Sequence, residues 1–181
     1  MNETTPSPEK LAKQAEKAYQ ADDFSQAVML YEQAAQLYKD AGDELAAAEQ
    51  ANNLSVCLLK MKDAQGALEA ATGTDVLFQE AGDMNRQAIA IANQAAAMEE
   101  LGQLEEALER YGVASDLLKQ TGNKQMRSYV LQAISALQLR TGKQLQAMAS
   151  MDAALDNKGG KLSLKERLLR KLLNTQKKLM K

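Results

Sequence analysis

The segment that decides the fold is AGDELAAAEQANNLSVCLLKMKDAQGALEAATGTDVLFQEAGD, residues 41–83. Its opening triplet AGD returns at 81–83 and again as TGN at 121–123, each time forty residues further along the chain. A second series, ADD at 21, MKD at 61, LGQ at 101 and TGK at 141, falls midway between these triplets. Turn residues at twenty-residue intervals indicate a chain of helices of similar length joined by short turns.

Between the turns, apolar residues recur every three or four positions, as expected for amphipathic helices. In residues 104–120 this stripe consists of Leu104, Ala107, Leu108, Tyr111, Ala114 and Leu118. The Gly-Asp and Gly-Asn pairs fit a left-handed glycine that ends one helix, followed by the N-cap of the next. Gly66, Gly73 and Gly112 fall inside predicted second helices, where we expect them to permit close helix contact. The pattern predicts an all-α chain of four helix pairs.

Small residues occupy matching positions in successive units, which lets neighbouring helices approach closely. The positions that repeat at forty-residue steps include Ala27, Ala67, Ala107 and Ala147, and Ala15, Ser55, Ala95 and Ser135. A small, small, aromatic, small order is met by Ala95, Ala107, Tyr111 and Ala114 in the third unit and by Ala15, Ala27, Tyr31 and Ala34 in the first. This order resembles that of tetratricopeptide repeat (TPR) proteins.

The units have about six residues more than the standard TPR unit. They resemble the longer-repeat subclass found in kinesin light chains, G-protein regulator scaffolds and soluble NSF attachment proteins. The resemblance implies a right-handed superhelix of four helix pairs, at about 8–41, 42–81, 82–121 and 122–157. We expect residues 1–7 to form a disordered leader and residues 161–181 to form a basic amphipathic C-terminal helix.

Composition excludes several classes of function. The chain has 181 residues, a single cysteine, Cys57, and no histidine, so neither an internal disulfide nor an imidazole-based catalytic or Cys/His zinc site can be built. No apolar run approaches the ~20 residues that span a bilayer. We therefore expect a cytoplasmic protein that is not an enzyme and uses no cofactor or metal, with Cys57 as a small buried core residue.

In TPR proteins the first helix of each pair lines a concave groove, and the repeat register assigns groove positions here. Asn53 and Asn93 are one period apart and are expected to stack along the groove, with Asn52 in support. Carboxamides both donate and accept hydrogen bonds, which suits them to the backbone of an extended peptide. The other predicted groove residues are Glu49, Lys60, Ile89, Tyr129, Gln132 and Arg140.

TPR co-chaperones clamp a C-terminal carboxylate with lysine, arginine and asparagine side chains. The matching positions here are Ala12, Glu16, Asn53, Ile89 and Asn93, so only the asparagine of the second unit agrees. Since Glu16 would repel a carboxylate, we expect no such clamp.

The C-terminal segment carries most of the charge asymmetry. Residues 161–181 have a formal charge of +7, whereas residues 1–160 have −9. The basic residues singled out are Lys165, Arg167, Arg170, Lys171, Lys177 and Lys178. Leucines at helical spacing would give this segment an apolar stripe. The segment could cap the fourth helix pair, lie on an anionic membrane, touch nucleic acid or an acidic partner, or exchange with a second copy.

The sequence therefore predicts a non-enzymatic interaction scaffold or adaptor that binds a partner peptide or helix in its groove. The alternative is a membrane-recruited or vesicle-trafficking factor that uses the basic C-terminal helix. We expect a protein partner, no nucleic acid and little membrane contact, and a homodimer stays open.

Overall fold

The computed structural model describes the backbone of residues 6–179 and the side chains of residues 6–176. Within this part of the chain the secondary structure consists of ten α-helices and no strand. The helices are α1 (Pro8–Gln20), α2 (Phe24–Asp40), α3 (Glu44–Lys60), α4 (Ala64–Ala71), α5 (Thr74–Glu80), α6 (Met84–Glu100), α7 (Leu104–Gln120), α8 (Lys124–Arg140), α9 (Gln144–Asn157) and α10 (Leu164–Leu179). The predicted all-α class is confirmed.

The chain divides into two compact units, Met1–Gln103 and Leu104–Lys181. Unit 1 contains α1 to α6 and unit 2 contains α7 to α10. The boundary falls between the two helices of the third predicted repeat. Of the predicted leader, residues 1–5 lie outside the described part, and Ser7 caps α1 by accepting a hydrogen bond from the Lys10 backbone N–H.

The predicted turns are present at both series of positions. Gly42, with φ +78°, takes the left-handed conformation in which glycine carries no Cβ strain, and Asp43 then accepts a hydrogen bond from the Ala46 N–H at 3.0 Å. Asp23, Asp63, Asp83 and Asn123 cap their helices in the same way. Lys143 occupies the corresponding N-cap of α9 and makes no side-chain capping bond. The predicted capping bond is therefore present at five of the seven predicted turns. It is absent at the turn before α9, and none is described at the turn before α7.

The second helix of the second repeat is broken, contrary to the prediction of one continuous helix through Gly73. Thr72 is extended and Gly73 has φ +80°, so α4 ends and α5 begins within three residues. The break is held from the neighbouring repeat, because the buried Gln94 amide on α6 donates to the Ala71 carbonyl and to the Asp75 carboxylate, both at 2.8 Å. The repeat pattern did not predict this role of Gln94, although Gln94 occupies the position that Leu54 has in the previous repeat.

The core of unit 1 is built from small residues around a few large ones. One cluster joins Tyr31, Leu54 and Cys57 with Ala15 and Ala27. Fully burying a side chain such as Leu54 contributes ~1.5–3 kcal/mol. Cys57 is completely buried, as predicted, and burial raises the pKa of its thiol to about 11. The thiol is therefore neutral at physiological pH.

In unit 2, α10 begins with a capping arrangement. The Ser163 hydroxyl accepts from the Glu166 backbone N–H, and the Glu166 carboxylate accepts from the Ser163 N–H at 2.7 Å and from the Lys158 ammonium. These hydrogen bonds, first that of Lys158, lower the pKa of Glu166 to about 2. The Ser-x-x-Glu spacing at 163–166 is a sequence signature of such a helix start.

Among the described residues, no helix is long and apolar enough to cross a membrane.

Candidate functional site

The predicted asparagines of unit 1 form a contact that differs from the one expected. Asn93 on α6 donates from Nδ2 to Oδ1 of Asn52 on α3 at 3.3 Å, and Asn52 donates in turn to the Ala48 carbonyl at 3.1 Å. Asn52 is only 5% exposed. The expectation that Asn52 turns into the open groove is therefore wrong, because its amide links α3 to α6.

Asn53 has a different environment from its neighbour. It is half-buried, and its amide makes no hydrogen bond with any described residue. It borders a cavity of about 490 Å³ between α1 and α3, within the ~300–1,000 Å³ typical of ligand pockets. The lining residues are Ala12, Lys13, Glu16, Tyr19, Gln20, Tyr31, Glu49, Gln50 and Asn53. We call this the α1–α3 cavity.

Two buried residues of this cavity are not among the predicted groove residues. Tyr31 on α2 is the aromatic residue of the repeat order, and Gln50 on α3 precedes the predicted asparagines. Both are buried, at 5% and 7% exposure, and both line the α1–α3 cavity. A register that repeats every forty residues identifies the small and large core positions, but it does not show that a tyrosine reaches past the core to a cavity wall.

Glu49 borders the cavity and is also engaged by α6. Its carboxylate accepts a hydrogen bond from the Arg86 guanidinium at 3.2 Å. Arg86 also bonds to Asp83 at 2.7 Å and lies over the Phe78 ring, 5.0 Å from its centroid. Since both partners of the Glu49 pair are substantially exposed, the pair itself contributes ~0–1 kcal/mol, and its main effect is to fix where the Glu49 charge lies.

Two other predicted groove residues of unit 1 do not line the α1–α3 cavity. Lys60 is exposed at the end of α3, and Ile89 is half-buried near the start of α6. Neither borders the α1–α3 cavity. The candidate site of unit 1 therefore centres on Asn53, with the Asn52–Asn93 pair beside it on α3 and α6.

In unit 2, the predicted groove residues of α8 lie beside the chain's own C-terminal segment. Tyr129 and Gln132 line a cavity of about 330 Å³ together with Lys158, Gly159 and Glu166. Tyr129 is 56% exposed, and Gln132 donates to the Ser128 hydroxyl at 3.3 Å. Arg140 is exposed at the end of α8, and it interacts with another group of the chain. The connection between α9 and α10 thus occupies part of the face that the register assigned to a ligand.

The basic residues of α10 fall into two groups. Arg170 forms an ion pair with Asp156 on α9, and Arg167 donates to the Leu162 carbonyl at 3.1 Å. Lys165 and Lys171 are exposed. The side chains of Lys177 and Lys178 lie outside the described residues.

The leucines of α10 are buried only in part. Leu173, at 5% exposure, is the buried one among those whose side chains are described. Leu164, Leu168 and Leu172, at spacings of four residues, are 84%, 59% and 57% exposed. We call these three residues the outer leucine stripe. The capping interpretation accounts for Leu173 but leaves the outer leucine stripe without a described partner.

Comparisons with known proteins agree with this architecture. The solved structure of the MamA RS-1 ArsTM double mutant, a TPR-like solenoid, superposes with a TM-score of 0.62 at 19% sequence identity, covering 83% of this chain and 74% of that chain. No curated protein matches the sequence. The family profile described as soluble NSF attachment protein (SNAP) matches residues 7–176. The match covers nearly the whole chain, and the described part of the chain is built of helices joined by short turns. The protein therefore belongs to the soluble NSF attachment protein family.

Proposed function

We propose that the protein is a non-enzymatic interaction scaffold that binds an extended partner segment along the α1–α3 cavity, with Asn53 as the principal contact. The observation that carries the proposal is the amide of Asn53, which lies at the wall of this cavity and bonds no residue in the described part of the chain. A half-exposed carboxamide offers one acceptor and two donors, which match the alternating groups of a peptide backbone. Membership of an attachment-protein family and a TPR-like fold support a protein partner.

Asn93 takes a supporting role in this proposal. One of its amide hydrogens is used by Asn52, which leaves the other hydrogen and the carbonyl oxygen for a ligand. The hydrogen bond also fixes the orientation of the Asn93 side chain, so less rotamer entropy is lost when a ligand binds. Replacing Asn93 would remove a ligand contact and unpair the buried Asn52 oxygen at the same time, so Asn53 is the cleaner position to test.

The test is affinity capture from a lysate of the source cells, with captured proteins identified by mass spectrometry. Wild type is compared with Asn53→Ala and with Gln33→Ala, an exposed residue on α2 away from the α1–α3 cavity. We expect a set of proteins captured by wild type and Gln33→Ala and depleted with Asn53→Ala, at unchanged thermal stability. Equal capture by all three proteins would refute the proposal.

A second candidate function is recruitment to an anionic membrane in a trafficking role. The outer leucine stripe is exposed, and the adjacent lysines 165 and 171 are exposed as well, which together resemble a basic amphipathic helix that lies in a membrane interface. The family description, attachment protein, fits such a role. Both proposals place the protein in the cytoplasm, where the buried Cys57 thiol stays reduced.

Liposome co-sedimentation tests the membrane proposal. We expect binding to vesicles containing phosphatidylserine, weaker binding to neutral vesicles, and loss of binding in the double variant Leu168→Asp, Leu172→Asp. Leu145→Asp is the control, because Leu145 is 64% exposed on α9 and belongs to no stripe on α10. If the double variant binds as wild type does, or if wild type stays in the supernatant, the membrane proposal is wrong.

A further inference from the structure

The α1–α3 cavity receives the hydroxyl end of a tyrosine whose ring is packed in the core. Tyr31 is 5% exposed, and its hydroxyl makes no hydrogen bond with any described residue. Tyr111, its counterpart two repeats later, is equally buried and does have an interaction partner. The Tyr31 hydroxyl borders the cavity and is therefore available to a ligand as a hydrogen-bonding group.

Burial, followed by the nearby groups of Cys57, Glu16 and Tyr19, raises the pKa of Tyr31 to about 12. The Glu16 carboxyl group also lines the α1–α3 cavity. The phenol therefore stays protonated, and a cation placed beside it would interact favourably with Glu16.

The other walls supply hydrogen-bond acceptors and an aromatic surface. Gln50 uses its Nε2 to bond the Ala46 carbonyl, so the free end of its amide is the Oε1 acceptor. The Tyr19 ring is held by an edge contact with Phe24, with 5.7 Å between ring centroids. Several acceptors around an aromatic wall match a guanidinium, which donates up to five hydrogen bonds in one plane and stacks on aromatic rings.

We infer that the α1–α3 cavity binds an arginine side chain of the partner segment, with Glu16 as its counter-ion and the Tyr31 oxygen as an acceptor. This inference rests on the proposed function, because the peptide backbone that flanks the arginine is bound by Asn53. Lys13, which also lines the cavity, donates to a carbonyl of that backbone. Binding thus uses both the cationic and the acidic side chains of the wall.

Peptide titrations followed by NMR test this inference on the full chain. The probes are three blocked pentapeptides, Ala-Ala-Arg-Ala-Ala and its lysine and glutamine analogues at the central position. We expect the arginine peptide to shift the signals of Tyr31 and Asn53 saturably, the lysine peptide to bind more weakly, and the neutral glutamine peptide to bind weakest.

Two variants examine the assigned contacts. Tyr31→Phe removes one neutral hydrogen bond and should lower the affinity for the arginine peptide by about 2- to 10-fold. Glu16→Gln removes the counter-ion, and because Glu16 is exposed the affinity should fall by about 2- to 5-fold. Tyr111→Phe is the matched control in unit 2 and should leave this affinity unchanged. Equal shifts with the arginine and glutamine peptides, or an unaltered affinity in Glu16→Gln, would overturn the inference.

The outcomes separate this inference from the proposed function. Capture that depends on Asn53, together with no preference for the arginine peptide, would leave the scaffold proposal standing and reject the arginine site. Specific binding of the arginine peptide, together with capture that is indifferent to Asn53, would establish the arginine site and reject the role of Asn53 in partner binding.

Discussion

Replacing Gln94 should test whether the break between α4 and α5 is held by the neighbouring repeat. Gln94 is 3% exposed and donates one hydrogen bond to the Ala71 carbonyl and one to the Asp75 carboxylate. A neutral bond of this kind contributes ~1 kcal/mol and a bond to a charged group ~1.5–3 kcal/mol. Their sum sets an upper range of ~2.5–4 kcal/mol for the loss on Gln94→Ala.

A second partner of one acceptor reduces that loss. The Ala71 carbonyl also accepts a hydrogen bond from the Thr74 hydroxyl at 2.7 Å. The Ala71 carbonyl is therefore not left unpaired, and we expect Gln94→Ala to lower the free energy of unfolding by ~2–3 kcal/mol. Gln94→Leu restores buried apolar surface without the hydrogen bonds, so its loss should be smaller.

Urea denaturation provides the measurement, combined with hydrogen exchange of the amides at 72–77. We expect faster exchange there in both Gln94 variants. The control is Gln65→Leu, since Gln65 is exposed and bonds Glu69 within a single helix at 2.8 Å, a contact worth ~0.2–0.5 kcal/mol. If Gln94→Ala is no less stable than this control and exchange at 72–77 is unchanged, the neighbouring repeat does not hold the break.

Three further predictions concern caps and titratable groups. Lys143→Asp should place a capping acceptor at the start of α9 and raise the free energy of unfolding by ~0.5–2 kcal/mol in urea denaturation; an unchanged midpoint would contradict it. Cys57 should react with a chromogenic disulfide reagent at pH 8 far more slowly than it does in urea, because its thiol is buried with a pKa of about 11; equal rates would show that it is accessible. The pKa of Glu166 is lowered to about 2, so its contribution to the stability of α10 is complete above the ordinary value of 4.5 and is lost as the pH falls towards 2. An NMR titration should show this, and Lys158→Met, which removes the first cause of the shift, should move the pKa back towards 4.5; an unchanged pKa would contradict it.

The forty-residue period determined much of the fold without any structure. It located the turns, because a glycine such as Gly42 adopts the left-handed conformation without Cβ strain. An aspartate such as Asp43 then caps the helix that follows. It also identified the buried small residues, because helices that pack closely at one step must do so at every step. The family resemblance read from those positions agrees with the match to soluble NSF attachment proteins.

Local sequence was less informative about polar groups that pair across helices. Asn52 and Asn53 are adjacent in sequence but point about 100° apart on α3, so a small rotation of the helix decides which of them is buried. Burial of Asn52 follows from its contact with Asn93, forty-one residues away. The role of Asn53 in binding a partner stays a prediction.

The sequence by itself determined the all-α class, the turns at twenty-residue intervals and the repeat register, because these depend on interactions between residues a few positions apart and on a pattern that recurs. Tertiary structure alone decided that Gln94 holds the break at Gly73, that Tyr31 reaches the α1–α3 cavity, and that the segment around Lys158 lies beside Tyr129. Each of these contacts joins side chains from different helices. Their formation depends on distances of a few ångströms between helices, which a one-dimensional period does not specify.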